Sequence, residues 1–381
     1  MQPGMYWRLS GFYFCYFIAL GTLVPYFPLY LKLNGWDAWH IGVLTAVLIG
    51  TKVIAPNVWG WLADHTGRRM AVIRAGCLLA PACFTGVFVW NDFFALALVI
   101  FAYSFFWNAV LAQFEAVTLQ YLDVQAERYS RIRLWGSVGF ILAVCGVGWL
   151  FDRWGVTAFA PTVMCAFLAI FVSSWLVPEP AGAGALRKVK DAGSFWRSVM
   201  TQQGIAFFSI CFLMVLSHGP YYTFFTLLME QQGYRHAVIG ALWSLGVAAE
   251  VVLFWFMHRL LPHWGLRGLL LTSIWLTALR WLLLACVPDW FGVMLFSQCL
   301  HAFSFAVFHS VAIETVRRWF SVSQSGQAQA FYSAVSFGAG NALGALVSGA
   351  LWASNPAWTF LFAALMCVVA GFIAFWVYEE Q

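Results

Sequence analysis

The chain has 381 residues, of which 62% are apolar and 9% charged, and its formal net charge is +5. A soluble domain is about half apolar and about a quarter charged, so an ordinary soluble enzyme, a disordered chain and a nucleic-acid binder are excluded. The 37 phenylalanines, 32 glycines and 22 tryptophans suit helices packed in lipid between two aromatic belts.

A membrane span takes about 20 apolar residues. The chain offers such runs at 6–31, 39–62, 70–90, 94–121, 132–151, 156–177, 203–229, 237–258, 267–287, 290–313, 325–352 and 357–378. Arg8 precedes the first run, which lacks a small-x-small cleavage site and reads as a retained insertion signal. The cysteines sit almost entirely inside apolar runs without CxxC spacing, so no disulfide, metal centre or cofactor is indicated. The basic residues give the orientation. Arg8; Arg68, Arg69 and Arg74; Arg128, Arg131 and Arg133; Arg187, Lys188, Lys190 and Arg197; Arg259 and Arg267; and Arg317 and Arg318 fall at one set of connections. The opposite set holds only Lys32, Arg153 and Arg235. By the positive-inside rule both termini face the cytoplasm of a bacterial-type inner membrane.

Residues 178–202, rich in Pro, Gly, Ala and basic side chains, read as a cytoplasmic linker. It divides an all-α membrane protein into two six-helix bundles, 1–177 and 203–381. The halves repeat each other. Gly35-Trp-Asp-Ala-Trp-His-Ile-Gly42 matches Gly233-Tyr-Arg-His-Ala-Val-Ile-Gly240 at an offset of 198, which also carries Gly67 onto Gly265 and Arg69 onto Arg267. Ala102-Tyr-Ser-Phe105 matches Ala302-Phe-Ser-Phe305 at an offset of 200. Parallel repeats of this kind place a substrate site where the halves meet, near mid-membrane. The offset of 198 also sets Lys52 on Glu250, opposite charges at equivalent positions on the second helix of each half.

Ionisable groups at membrane depth are costly and mark function. Lys52, Glu115, Arg133, His218, Glu250, Arg280, His301 and His309 are such groups, and each is expected to face the interior. His218 precedes Gly219-Pro220, the signature of a helix break, and broken helices line binding sites. His301 and His309 are eight residues apart, roughly two turns, and share one helix face. His40, His65, His236 and His263 fall at loops or ends. Between the second and third runs, Gly60-Trp-Leu-Ala-Asp64-His-Thr-Gly67-Arg68-Arg69 reads as a conformational latch: glycine permits a tight turn, and Asp64 accepts from an arginine or a helix N-terminus.

Gly60, Asp64, Gly67, Arg68 and Arg69 resemble the signature of the major facilitator superfamily. The second copy is degenerate, with Pro262 where the first has Asp64. The resemblance covers the whole chain and implies the superfamily fold. A narrower likeness is to lactose-permease-like proton symporters. Glu115 and Arg133 match their sugar-binding pair, Arg131-Ile-Arg133-Leu-Trp-Gly136-Ser-Val-Gly139 continues the match, and Glu250, Arg280 and Leu300-His301-Ala-Phe match coupling positions. Ser304 stands where those permeases carry a glutamate that takes part in deprotonation. The chain is most similar to the phenylpropionate-transporter branch, through Arg133-Leu-Trp-Gly-Ser-Val, Leu242-Trp-Ser-Leu-Gly-Val-Ala-Ala-Glu250, Arg280-Trp281, Tyr332-Ser-Ala-Val335 and a basic residue at Lys52.

The resemblance implies proton-coupled import, by alternating access, of an aromatic carboxylate such as 3-phenylpropionate. Glu250 is then the proton carrier, Arg280 its modulator, and His301 with His309 the relay positions. Lys52 attracts the carboxylate, Glu115 and Arg133 bind polar groups, and His218, Trp107, Tyr221, Tyr222, Trp243 and Trp281 stand near the ring. Partners are the solute, protons and lipid, with a monomer sufficing. The alternatives are a sugar or nucleoside symporter, an efflux carrier and, remotely, a membrane-embedded enzyme or a non-transporting sensor. No G-x-S-x-G, HExxH or triad spacing supports catalysis.

Overall fold

The computed structural model describes residues 3–123, 128–180 and 192–378. The linker residues Arg187, Lys188 and Lys190 lie outside them. Every regular element among the described residues is a helix. The first half comprises α1 (Pro3–Leu33), α2 (Ala38–Thr66), α3 (Arg69–Phe84), α4 (Phe93–Leu122), α5 (Tyr129–Trp154) and α6 (Phe159–Trp175). After the short α7 (Ala192–Val199) come α8 (Gln202–Leu216), α9 (Gly219–Gln231), α10 (His236–Cys286), α11 (Phe291–Cys299), α12 (Phe308–Trp319), α13 (Val322–Tyr332), α14 (Asn341–Trp352) and α15 (Pro356–Trp376). A π turn at Phe303–Val307 leads into α12, and another at Ser333–Gly340 joins α13 to α14.

Eleven stretches of these residues are long and apolar enough to cross a membrane. The chain is thus a multi-pass membrane protein. One stretch, α10, has 51 residues. As a straight helix it would run about 75 Å, against a hydrocarbon core of about 30 Å. It is two spans, separated at Gly265, whose φ of 66° and ψ of 167° are non-helical. With that break the spans number twelve. The sequence repeat is written in the backbone as well. Gly67 and Gly265 both have φ 66°, and Gly35 and Gly233 have φ 85° and 80°. A side chain is strained in that left-handed region, so each turn is held by the residue type the repeat preserves.

The chain folds into two compact units: Met1–Trp36, Val47–Arg187 and Arg235–Ser244; and Asp37–Ala46, Lys188–Tyr234 and Leu245–Gln381. In the first unit α1 packs on α5 and α6, and α3 packs on α4 and α6. In the second, α8 packs on α15 and the Ser333–Gly340 turn, and α9 on α14.

The first unit also contains a close crossing between α5 and the start of α10. A Cβ on Gly148 would collide with the carbonyl oxygen of His236, and one on Gly240 with that of Val144. Only glycine lets two backbones approach this closely. The Tyr26 hydroxyl donates to Val144 O at 2.6 Å beside the crossing. Asp152, at the end of α5, then caps α10: Oδ1 accepts from His236 N at 3.0 Å and Oδ2 from Ala237 N at 3.2 Å. The equivalent helix of the first half is capped by its own chain, Asp37 Oδ1 accepting from His40 N at 2.9 Å. That bond holds the Asp37 carboxyl below its usual range. The repeat places Arg235 at the position of Asp37, so α10 has no cap of its own there and takes one from α5. Asp152→Ala should therefore remove about 1 kcal/mol and lower the melting temperature of the purified protein by roughly 2 °C. A thermal unfolding scan checks this, and an unchanged midpoint would show the cap to be idle.

Candidate functional site

The second unit buries a polar cluster around Arg280, which is 0% exposed. The lower half of α10 supplies Arg280 and Trp281, and its upper half Glu250. The α8–α9 joint supplies Ser217 and His218, the first turn of α9 supplies Tyr221, and the stretch from α11 through the π turn supplies Gln298, His301 and Ser304. The guanidinium lies between two rings, 4.2 Å from the Tyr221 centroid and 4.5 Å from that of Trp281, an arrangement that lets a cation exist in an apolar interior. Its Nη1 donates to His301 Nδ1 at 3.0 Å and to Ser304 Oγ at 3.1 Å, and its Nη2 reaches Gln298 Oε1 at 3.4 Å.

A guanidinium can only donate. His301 Nδ1 must therefore accept, and the ring proton sits on Nε2. That nitrogen is 3.7 Å from Glu250 Oε2. The chain Arg280, His301, Glu250 thus has one polarity, with N–H groups directed toward the carboxylate. A relay through His301 needs Nδ1 to take up a proton, and in this arrangement Arg280 occupies it. The π turn at Phe303–Val307 sets Ser304 beside His301, with Ser304 Oγ 3.1 Å from His301 O. His309 lies further along the same ladder of rings, stacked on Phe305 as Phe305 is on His301, and its Nδ1 is 3.1 Å from Tyr332 Oη.

The expected helix break is present. Between α8 and α9, His218 N bonds to Val215 O at 3.0 Å, a tighter turn than the α-helical one, and Pro220 has no N–H to continue the ladder. His218 is 4% exposed; its Nδ1 is 2.8 Å from Met214 O, and its ring meets Trp281 edge-on at 5.1 Å. Trp281 donates from Nε1 to Ser217 Oγ at 3.1 Å. Tyr222 is half-buried and Trp243 buried.

In the first unit, Glu115 accepts from the Tyr129 hydroxyl at 3.3 Å. Arg133 lies over the Phe17 ring at 4.0 Å and more distantly over Tyr13 at 5.8 Å. Among the described residues no ion pair joins Glu115 to Arg133. The aromatic faces of α1 draw the guanidinium away, and a tyrosine serves the carboxylate. Trp107 is buried and stacks on Tyr16. Lys52 is half-buried on α2, next to Thr51, which is tied to Ser104 and Asn108 at 3.1 and 2.8 Å. Lys52 itself makes no ion pair or hydrogen bond among the described residues. None of the eight ionisable groups at membrane depth is exposed.

Of the residues expected to form a latch, Asp64, Gly67, Arg68 and Arg69 lie around the α2–α3 turn. Asp64 pairs with Arg69, whose Nη1 also donates to Gln113 Oε1 at 2.7 Å. Gly67 makes the turn, Arg68 is exposed, and Gly60 lies inside α2, where a Cβ would stand 3.2 Å from Gln113 Nε2. Gly60 therefore makes room for Gln113 and forms no turn. The α3 N-terminus is served by Glu179, which accepts from Met70 N at 3.0 and 3.2 Å.

Residues 6–362 match the family model described as the MFS_1 like family. The chain belongs to that family. The MFS_1-like chain is 29% identical over 388 residues to a probable 3-phenylpropionic acid transporter of Escherichia coli (strain K12), covering 96% of each protein. It is also 29% identical over 374 residues to a maltose permease of Geobacillus stearothermophilus, covering 94% of this chain and 91% of that one. Its fold matches the crystal structure of nucleoside transporter NupG with a TM-score of 0.85 at 18% identity, over 99% of this chain and 100% of the other. These relatives are transporters, and this MFS_1-like protein is a transporter and not an enzyme. Sequence reasoning missed Tyr129, Gln113, Gln298, Glu179 and Asp152. All five act on partners from other helices, and none stands out from its neighbours as an isolated charge in an apolar run.

Proposed function

We propose that this MFS_1-like transporter is a proton-coupled symporter that imports a small aromatic carboxylate by alternating access. The observation that carries the reading is Lys52, a half-buried cation at membrane depth with no counter-ion among the described residues. Such a charge is stabilised when an anion arrives. The relative whose name gives 3-phenylpropionic acid supports the same chemistry. Glu250, beside the ring of His301, is the coupling carboxylate in this reading, and Arg280 fixes that ring. Residues 1–177 and 203–381 act as the two six-helix halves, joined by 178–202. The protein works as a monomer in the inner membrane with both termini cytoplasmic.

The maltose permease likeness favours a second reading, a sugar symporter using Glu115, Tyr129 and Arg133 to grip hydroxyls. Proteoliposome uptake of labelled 3-phenylpropionate, maltose and a nucleoside, each with and without an imposed proton gradient, separates the two. Right-side-out against inside-out vesicles gives the direction. Lys52→Ala should weaken binding of 3-phenylpropionate by roughly tenfold or more, the worth of a charge-assisted hydrogen bond, and leave 3-phenylpropionamide within about twofold. Equal losses for acid and amide would remove the carboxylate from Lys52.

A further inference from the structure

We infer that Nε2 of His218 is the acceptor for a hydrogen-bond donor carried by the substrate, so that the site prefers a hydroxylated aromatic acid to the unsubstituted one. This rests on the aromatic-acid reading above and narrows it.

The tautomer of His218 follows from its partner. A backbone carbonyl can only accept, so the ring nitrogen 2.8 Å from Met214 O is the one that carries hydrogen. Nε2 of the neutral ring is then a lone pair. A second buried cation next to Arg280 would have to be desolvated without a counter-ion of its own, so the neutral ring is the form that binds. His301, whose ring centroid is 6.4 Å away, is fixed the other way round by Arg280. The cluster therefore contains two neutral imidazoles of opposite tautomer, one directing N–H at Glu250 and one presenting an acceptor.

That acceptor is buried and has no partner among the described residues. Three neighbouring donors are engaged elsewhere. Ser217 Oγ donates to Met214 O at 2.6 Å, Trp281 Nε1 to Ser217 Oγ at 3.1 Å, and the Tyr221 hydroxyl to Gln298 Oε1 at 2.9 Å. A buried acceptor left unpaired is costly. The helix break at Ser217–His218 frees backbone here, as at the interrupted helices that line transport sites. A carboxylate or an ether oxygen offers only lone pairs and cannot pair with Nε2. A hydroxyl can, and its own oxygen still accepts. The same cluster holds two buried donors without partners, Arg280 Nε and Gln298 Nε2. A phenol thus matches both kinds of unpaired group, and the carboxylate end of the ligand belongs elsewhere.

The test is equilibrium binding to the purified full-length protein. The probes are 3-phenylpropionate, the 3-hydroxy and 4-hydroxy ring derivatives, and the corresponding methoxy compounds. One hydroxylated probe should bind about tenfold more tightly than both its methoxy and its unsubstituted counterparts. In His218→Phe that gap should fall below about twofold. His218→Met, a flexible apolar replacement, is the second variant should the phenylalanine fail to fold. Wild-type protein that binds hydroxylated and plain acids alike overturns the inference and leaves the aromatic-acid reading standing. So does a preference that survives both variants. Wild-type protein that binds none of these acids overturns the aromatic-acid reading, and the inference with it.

Discussion

Arg280→Lys should reduce uptake at least a hundredfold, although the positive charge is retained. Arg280 is flat, fully buried and held between the Tyr221 and Trp281 rings. Its planar fork meets His301 Nδ1 and Ser304 Oγ from one nitrogen and Gln298 Oε1 from the other. A lysine ammonium is a strongly hydrated point charge with no plane to stack, and it cannot span those three acceptors at once. Breaking a buried charged network costs about 3–5 kcal/mol, so the variant should also unfold at a lower temperature. The functional loss has a separate origin. Without a donor fixed at Nδ1, His301 can adopt either tautomer, and the N–H directed at Glu250 is no longer guaranteed. Transport by proteoliposomes reconstituted with equal amounts of folded protein measures the effect. Uptake near the wild-type rate would mean that only the charge of Arg280 matters and that its geometry does not.

The twelve spans are legible because each is a long apolar run, and a run of that length has one stable form in lipid. The turns at Gly67 and Gly265 are legible too, since a repeated glycine beside a repeated arginine has few other reasons to persist, and both take φ 66°. The break at His218 follows from Gly219-Pro220. The first-half charges are less transparent. Glu115 and Arg133 have the spacing of a pair, yet the guanidinium lies on Phe17, more than a hundred residues earlier in the chain. Nothing local to residue 133 announces an aromatic surface from α1. The α2–α3 turn shows the same limit. Asp64 and Arg69 are close in sequence and do pair, but Glu179, which serves the α3 N-terminus, lies 109 residues beyond Met70. Asp152 was findable. The repeat replaces the capping Asp37 by Arg235, and a helix N-terminus deprived of its own cap must take one from a neighbour or leave its N–H groups unpaired.

Glu250→Gln should abolish accumulation of substrate driven by a proton gradient while leaving exchange of substrate across the membrane within a few-fold of wild type. The argument starts from the fixed ring. His301 Nδ1 is occupied by Arg280, and Nε2 carries the hydrogen that faces Glu250 Oε2 at 3.7 Å. The ring as held can support a carboxylate but cannot pass a proton through itself. Ser304 replaces the titratable group expected on that helix turn, and its hydroxyl is placed to donate to His301 O. In the proposed symport the gain and loss of a proton then fall to the Glu250 carboxyl, whose side chain is 15% exposed. Glutamine keeps the shape and polarity of the protonated carboxyl but cannot release the proton. A carrier frozen in that state can still cycle with substrate bound at both faces, which is exchange, but it cannot return empty after discharging a proton. Counterflow and gradient-driven uptake, measured on the same proteoliposomes, distinguish the two. If the glutamine variant accumulates substrate as well as wild type, the proton is carried elsewhere, and the Arg280, His301, Glu250 chain is a structural network alone.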